Sequence, residues 1–482
     1  MNLPARVLAV TASIVLLIPV CGFSPGPEHA PSADIIVTAA PVYQPLAALR
    51  GQERFPKGAH LMLVHQGKAE PLVPEFAASA DANVSFDGNS VLFAGKQAAT
   101  DPWQIWELTL ANRSLRKLIA GPADAIRPFY LPEGRLVYAL RTDHGFQLEA
   151  GGKTTPALSA PIDANAGATV LPLSYMPGSA IPSDVLLDGR ILFEASFPLG
   201  SGSTPELFLV YSDGSGVESY RCDHGVARWG GKQLASGDVV FTHGASLARF
   251  TSPLAHEAPI AAPHADYAGG IAETAAGAWL VSARPAVGTH YALKQWQPGS
   301  TANSTALAKP GAGPWQTLLA ITGQDLVEPV VVAPRTRPNH HPSGLHEWSY
   351  ANMMALDARM SRAGDLKLTP AAVRLETLDA AGHTVVTGTA PVEADGSFFV
   401  QTPADKPIRF ALLDKNGAVL RQEHGWFWIR GGEQRICVGC HTGPERASEN
   451  HLPAVLLRTT TPADLTGAAG KSAAGNKTPG GN

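Results

Sequence analysis

Ser85-Phe86-Asp87-Gly88-Asn89-Ser90-Val91-Leu92-Phe93 is the stretch on which the fold turns. Asp-Gly closes a tight turn, because Gly enters the left-handed backbone region without a Cβ clash. The β-branched and aromatic run behind it reads as a strand buried on at least one face. The same phrase returns at Leu131-Pro132-Glu133-Gly134-Arg135 before Leu136-Val137-Tyr138, and at Leu187-Asp188-Gly189-Arg190 before Ile191-Leu192-Phe193. It returns again at Ala235-Ser236-Gly237-Asp238 before Val239-Val240-Phe241. Repeats of roughly 40 to 55 residues built this way predict a β-propeller of six or seven blades across residues 50–335. A pair of β domains with ordinary hairpins is the competing arrangement.

Beyond the repeats, Arg335 to His346 is rich in Pro, His and Arg, and residues 336–347 read as a linker. A second β pattern follows, with Val373-Arg374-Leu375, Val385-Val386 and Val392 to Val400, and tight turns at Asp395-Gly396 and Lys415-Asn416-Gly417. It predicts a small antiparallel sandwich over 348–434. Residues 435–464 form a third segment, and the Ala/Gly/Lys/Ser/Pro composition of 465–482 predicts no fixed structure there. The expected fold class is all-β throughout.

The chain has 482 residues, 16% of them charged, and a net charge of −4. It has no basic stripe to neutralise phosphates, which argues against a nucleic-acid partner. Arg6 followed by the apolar run Val7 to Val20 reads as an export signal over 1–24, with an N-terminal extension over 25–49. The expected location is periplasmic or otherwise extracytoplasmic. Lipidation at Cys21 is the one expected route to a membrane. Val20 stands where a small residue should precede a lipidated Cys, so cleavage near Gly22 to Ser24 is favoured.

Cys437-Val438-Gly439-Cys440-His441 has the C-x-x-C-H spacing of covalent c-type haem attachment. Cys437 and Cys440 are positioned for the two thioether bonds, and His441 for an axial bond to the iron. A redox dithiol and half of a zinc site compete, but zinc needs further ligands and no second C-x-x-C exists. His424 and His451 are candidates for the sixth iron position, as are Met353, Met354 and Met360. The plainer readings are surface histidines and core methionines. Trp426 and Trp428, two apart, share one face if extended and either wall the haem or fill the sandwich core. Arg430 and Arg435 are candidate partners of the haem propionates. Cys222 and His224 form a candidate second metal site, for zinc, set against the favoured reading of a lone thiol and a loop histidine.

Three of these stretches carry a family resemblance: Pro338 to His346 (PNHHPSGLH), Val392 to Phe398 (VEADGSF), and Gly425 to Arg435 running into Cys437–Asn450 (CVGCHTGPERASEN). Together they resemble proteins related to the α subunit of hydrazine synthase. In that family a propeller precedes a β-rich middle domain ending in a c-type haem site. The Ser85–Phe93 phrase is also similar to the repeats of TolB-like propellers. The resemblance implies periplasmic haem redox chemistry, either electron transfer or turnover of a small nitrogen or oxygen species. The expected partners are a redox protein or a small-molecule substrate. In hydrazine synthase itself the motif histidine binds zinc and a tyrosine four residues later takes the iron. This chain has Glu445 at that place, so His441 remains the expected iron ligand and hydrazine formation is not expected. The rival reading is a non-catalytic propeller scaffold with a structural haem or metal site.

Overall fold

The computed structural model describes residues 33–153, 170–197, 204–221, 225–252, 255–298, 315–361, 364–439 and 446–467. Among these, helix is confined to a 3₁₀ turn at Ala48–Arg50 and a short helix at Ala454–Arg458. The anticipated signal, Cys21, Cys222, His224, Cys440 and His441 lie outside the described residues, as do residues 468–482 of the expected tail.

Among the described residues, six sheets form the propeller. Blade one runs Asp325–Val331, Ile35–Ala40, His60–His65 and Lys68–Pro71 from the inside out, and blade two Ala78–Val84, Ser90–Lys96, Gln104–Thr109 and Ser114–Ile119. Blades three, four and five start with the inner strands Ala125–Tyr130, Ala180–Val185 and Trp229–Gln233. Blade six is built on Trp279–Arg284, which pairs with both Asp266–Tyr267 and Ala272–Glu273. Neighbouring inner strands adjoin from blade one to blade five, and blade six lies against blade one.

The ring closes by pairing its two ends. Ile35↔Val331 and Ala40↔Asp325 are cross-strand partners. The propeller therefore begins at residue 35, inside the segment 25–49 that reads as an extension. Local sequence does not reveal this, because the partner of Ile35–Ala40 lies almost the whole propeller away.

The Asp-Gly phrase does the local work expected of it. The Ser85 hydroxyl donates to Asp87 Oδ1 at 2.6 Å, and Asp87 Oδ1 accepts the Asn89 amide at 3.1 Å. Gly88 sits at φ 77°, where a Cβ would come within 2.9 Å of the Ala333 and Pro334 backbone. That close approach lays the chain leaving the propeller against blade two.

Inner strands carry bulges that turn charged side chains towards the axis. Register shifts fall between Ala80 and Asn83, Ile126 and Phe129, and Trp229 and Lys232. Asp81, Arg127 and Glu328 hold positive φ values of 63°, 56° and 57°, an uncommon state for non-glycine residues. Glu328 Oε1 accepts from Arg54 Nη1 at 2.5 Å and Arg127 Nη1 at 2.6 Å, and Arg54 also pairs with Asp81. Burial alone would raise the Glu328 carboxyl; Arg54 and Arg127 reverse that and hold it at about 2.

The second β unit is a sandwich. One sheet is ordered Gln434–Cys437, Tyr350–Ala355, Phe398–Pro403, Ala463–Asp464; the other is Thr384–Pro391, Ala372–Leu378, Ile408–Leu413, Val419–Gln422. Met353, Val373, Leu375, Phe398, Val400, Phe410 and Ile429 are buried between them. The expectation of a purely antiparallel sandwich needs correction. Gln434–Cys437 runs parallel to Tyr350–Ala355, and Ala463–Asp464 parallel to Phe398–Pro403. Both late strands return by long connections rather than hairpins, which permits the parallel sense.

Candidate functional site

Cys437 ends the edge strand Gln434–Cys437, paired with Ala355 on the central strand. Alternation along the strand leaves Ile436 63% exposed and turns Cys437 towards the sandwich core. Its thiol is free and half-buried. Burial pushes that thiol's pKa up, and the Arg435 charge opposes the rise.

The chain is pinned on both sides of Cys440 and His441. Before them, the Cys437 carbonyl accepts the Leu356 amide at 2.9 Å and the Val438 carbonyl accepts the Asp357 amide at 3.0 Å. After them, Arg446 makes a bidentate pair with Asp365, at 2.6 and 2.8 Å, and donates to the Ser361 carbonyl at 3.2 Å. Arg446 in turn holds the Asp365 carboxyl well below the usual carboxylate range. Both ends of the motif segment thus rest on neighbouring residues, Leu356 and Asp357 on one side and Ser361 and Asp365 on the other.

His451 reaches the same corner. Its Nε2 lies 3.2 Å from Asp395 Oδ2, and Asp395 also accepts the Ala454 amide at 2.7 Å. Burial would raise the Asp395 carboxyl, but the Ala454 and Ser397 amides, the Ser397 hydroxyl and His451 bring it to about 2. The Gly396 carbonyl beside it accepts the Ala358 amide, next to Asp357. His424 is exposed on the turn after Val419–Gln422, in the opposite sheet. Met353 and Met360 are buried, Met353 in the sandwich core. Met354 faces the other side of the sheet, level with Ile436 and Phe399.

Four expected haem neighbours lie at the boundary with the propeller. Trp426 and Trp428 do share one side, but that side faces the propeller. Trp428 is fully buried among residues of blades three and four, with its ring 6.3 Å from Phe193 and 6.2 Å from Tyr175. Trp426 packs at the edge of this cluster with the Arg409 guanidinium 4.6 Å over its ring. Arg430 donates to the Pro172 carbonyl at 2.6 Å and pairs with Asp405 at 2.8 Å. Arg435 donates to the carbonyls of Val217 and Trp428. These two guanidiniums thus reach backbone carbonyls at the domain boundary. Glu433 completes the seam by accepting the Gly216 amide at 3.3 Å.

Sequence reading missed Asp357, Asp365, Asp395 and Arg446, which hold the motif's surroundings. An Asp-x-Arg pair at 357–359 and the Asp395-Gly396 turn were visible as local turn chemistry, but not their convergence. Among the described residues no group of three or more His, Cys, Asp or Glu side chains is arranged to hold a metal ion.

Residues 356–442 match the hydrazine synthase alpha subunit middle domain. The fold is similar to that of Kuenenia stuttgartiensis hydrazine synthase, at a TM-score of 0.72 and 16% identity, covering 89% of this chain and 71% of that one. A TolB structure from Agrobacterium tumefaciens overlaps more loosely, at a TM-score of 0.38 and 13% identity over 60% of this chain and 89% of that one. No curated protein sequence matches the chain. Residues 356–442, Cys437 among them, thus match that middle-domain family, and the fold across both β units is similar to that of hydrazine synthase.

Proposed function

We propose that this chain is an exported protein carrying one covalent c-type haem, working in periplasmic redox chemistry as an electron carrier or in turnover of a small nitrogen or oxygen species. The observation that carries this reading is the C-x-x-C-H run at 437–441, flanked on both sides by contacts, to Leu356 and Asp357 before it and to Ser361 and Asp365 after it. A thiol at the end of an edge strand suits a thioether anchor, because the strand behind it is fixed. Cys437 and Cys440 would hold the group and His441 would take the iron. When bound, the haem supplies one-electron redox chemistry, tuned by its axial ligands.

The chain's own residues hold and orient. Asp357 fixes the start of the motif segment and Asp365, through Arg446, its return. Asp395 holds His451 by one ring nitrogen, which leaves the other to face a metal, the usual way a carboxylate orients a ligating imidazole. This favours His451 over His424 as the sixth ligand. Hydrazine formation is outside the reading, since Glu445 replaces the tyrosine and only one C-x-x-C-H exists. Export rests on Arg6 and the apolar run Val7 to Val20. A second reading, a binding propeller with a structural haem or metal, is favoured by the axial cavity described below.

A spectroelectrochemical titration of protein made in a host that matures c-type cytochromes tests the role. A reversible one-electron wave is expected. A protein that binds haem covalently but shows no reversible wave would leave the scaffold reading.

A further inference from the structure

A cavity of about 560 Å³ opens along the propeller axis. Inner strands supply its walls, and the segment leaving the propeller, Ala333 to Pro338, forms one side. Two cations in it have unused hydrogen-bonding capacity. Lys232 Nζ has no acceptor closer than Asp184 Oδ1 at 3.6 Å among the described residues, and sits 4.4 Å above the Phe129 ring. Asp184 is itself occupied, its two oxygens accepting the Val185 and Gln233 amides at 3.0 and 2.9 Å. Arg335 spends Nε and Nη2 on the Val84 carbonyl and Asn83 and stacks on Phe86 at 4.4 Å, which leaves Nη1 without an acceptor among the described residues.

Four carboxylates line the cavity, Asp81, Asp184, Glu273 and Glu328. Asp81 and Glu328 are taken by Arg54 and Arg127, and the remaining Glu328 oxygen, Oε2, is sealed from solvent. Burial lowers the pKa of both Lys232 and Arg335. The rest of the wall is largely apolar, including Phe129, Val185, Ile271 and Val330. Open donors in an apolar cleft of this size are the arrangement of a small-molecule site.

We propose that this cavity binds a small carboxylate with an apolar body, its carboxylate received by Lys232 and Arg335 and its hydrocarbon by Phe129, Ile271 and Val330. The site is separate from the haem motif. Arg335 and Pro338 lie at the start of the connection to the sandwich, so a ligand here also contacts the chain that joins the two units.

Calorimetric titration of the full chain with hexanoate, 1-hexanol and hexylamine tests the proposal. Hexanoate should bind one to one, roughly tenfold or more tighter than 1-hexanol, and hexylamine should give no binding heat. Lys232→Gln and Arg335→Gln should each weaken hexanoate roughly tenfold with the circular dichroism spectrum unchanged. Leu187→Trp, which fills the cavity from another wall, should abolish binding without touching either cation. Absent hexanoate binding, equal affinity for the alcohol, or a folded Lys232→Gln or Arg335→Gln that binds as the parent does, would each overturn the proposal.

Discussion

The indole Nε1 of Trp428 donates to the Gly214 carbonyl at 2.8 Å, a bond across 214 positions of sequence and across the boundary between propeller and sandwich. Gly214 holds φ 84° and has no Cβ to displace the Arg430 side chain alongside. Phe427, one residue before, packs instead towards the sandwich, 6.0 Å from Phe410. Adjacent aromatics thus bury into different units and fix one against the other. Trp428→Ala should cost about 3–5 kcal/mol in urea unfolding, the range for a large buried aromatic. Trp428→Phe should cost about 1–3 kcal/mol, since it strands a buried carbonyl. A loss below about 1 kcal/mol for the alanine variant would mean the seam does not hold the units together.

At the propeller axis, Glu328 is the shared acceptor of two arginines. Glu328→Gln should destabilise by about 3–5 kcal/mol, because it leaves two buried guanidiniums undercompensated. The pH dependence has a definite sign. A carboxyl held at about 2 in the fold, against about 4.3 unfolded, adds stability that is complete above the unfolded value and is lost as pH falls towards 2. Urea midpoints between pH 5 and 2.5 should therefore fall more steeply for the parent than for the variant. Parallel slopes would contradict the ion-cluster account.

Much of this architecture was legible locally. Gly88, Gly134, Gly189 and Gly237 all take the left-handed conformation that the turn phrases demand, with φ from 77° to 92°. Each is followed by the strand its β-branched run predicts. What stayed hidden depends on contacts between distant residues. Ile35–Ala40 belongs to blade one only through its pairing with Asp325–Val331. Trp428 looks the same in sequence whether it lines a haem, a sandwich or a propeller. The contacts of Arg430 and Arg435 with the carbonyls of Pro172 and Val217 likewise join residues far apart in sequence. The C-x-x-C-H run is plain in sequence because its five positions are consecutive, whereas Asp365 and Arg446 meet only after the chain has folded back.

Arg446→Ala removes the clasp after the motif without touching a haem-attachment residue. Loss of such support should lower haem incorporation roughly tenfold, with the far-ultraviolet circular dichroism preserved. Arg446→Lys should restore it only in part, because an ammonium cannot reproduce the two-pronged contact with Asp365. Haem content per chain, read from absorbance, checks both. Full incorporation in the alanine variant would show that the clasp is dispensable.

His451→Ala tests the sixth position. If Asp395 presents this imidazole to the iron, the variant's ferric spectrum should change from six-coordinate low-spin to high-spin, and His424→Ala should leave it as it was. A spectrum altered by His424→Ala alone would reverse the assignment.

The most direct test is a denaturing gel stained for haem, with a pyridine haemochrome spectrum, on protein expressed with its N-terminal segment in a host competent for cytochrome c maturation. The account predicts a haem signal that survives denaturation in the parent and vanishes in the Cys437→Ala/Cys440→Ala variant. No signal from the parent, with maturation controls positive, would contradict it and leave the propeller as the working part of the molecule.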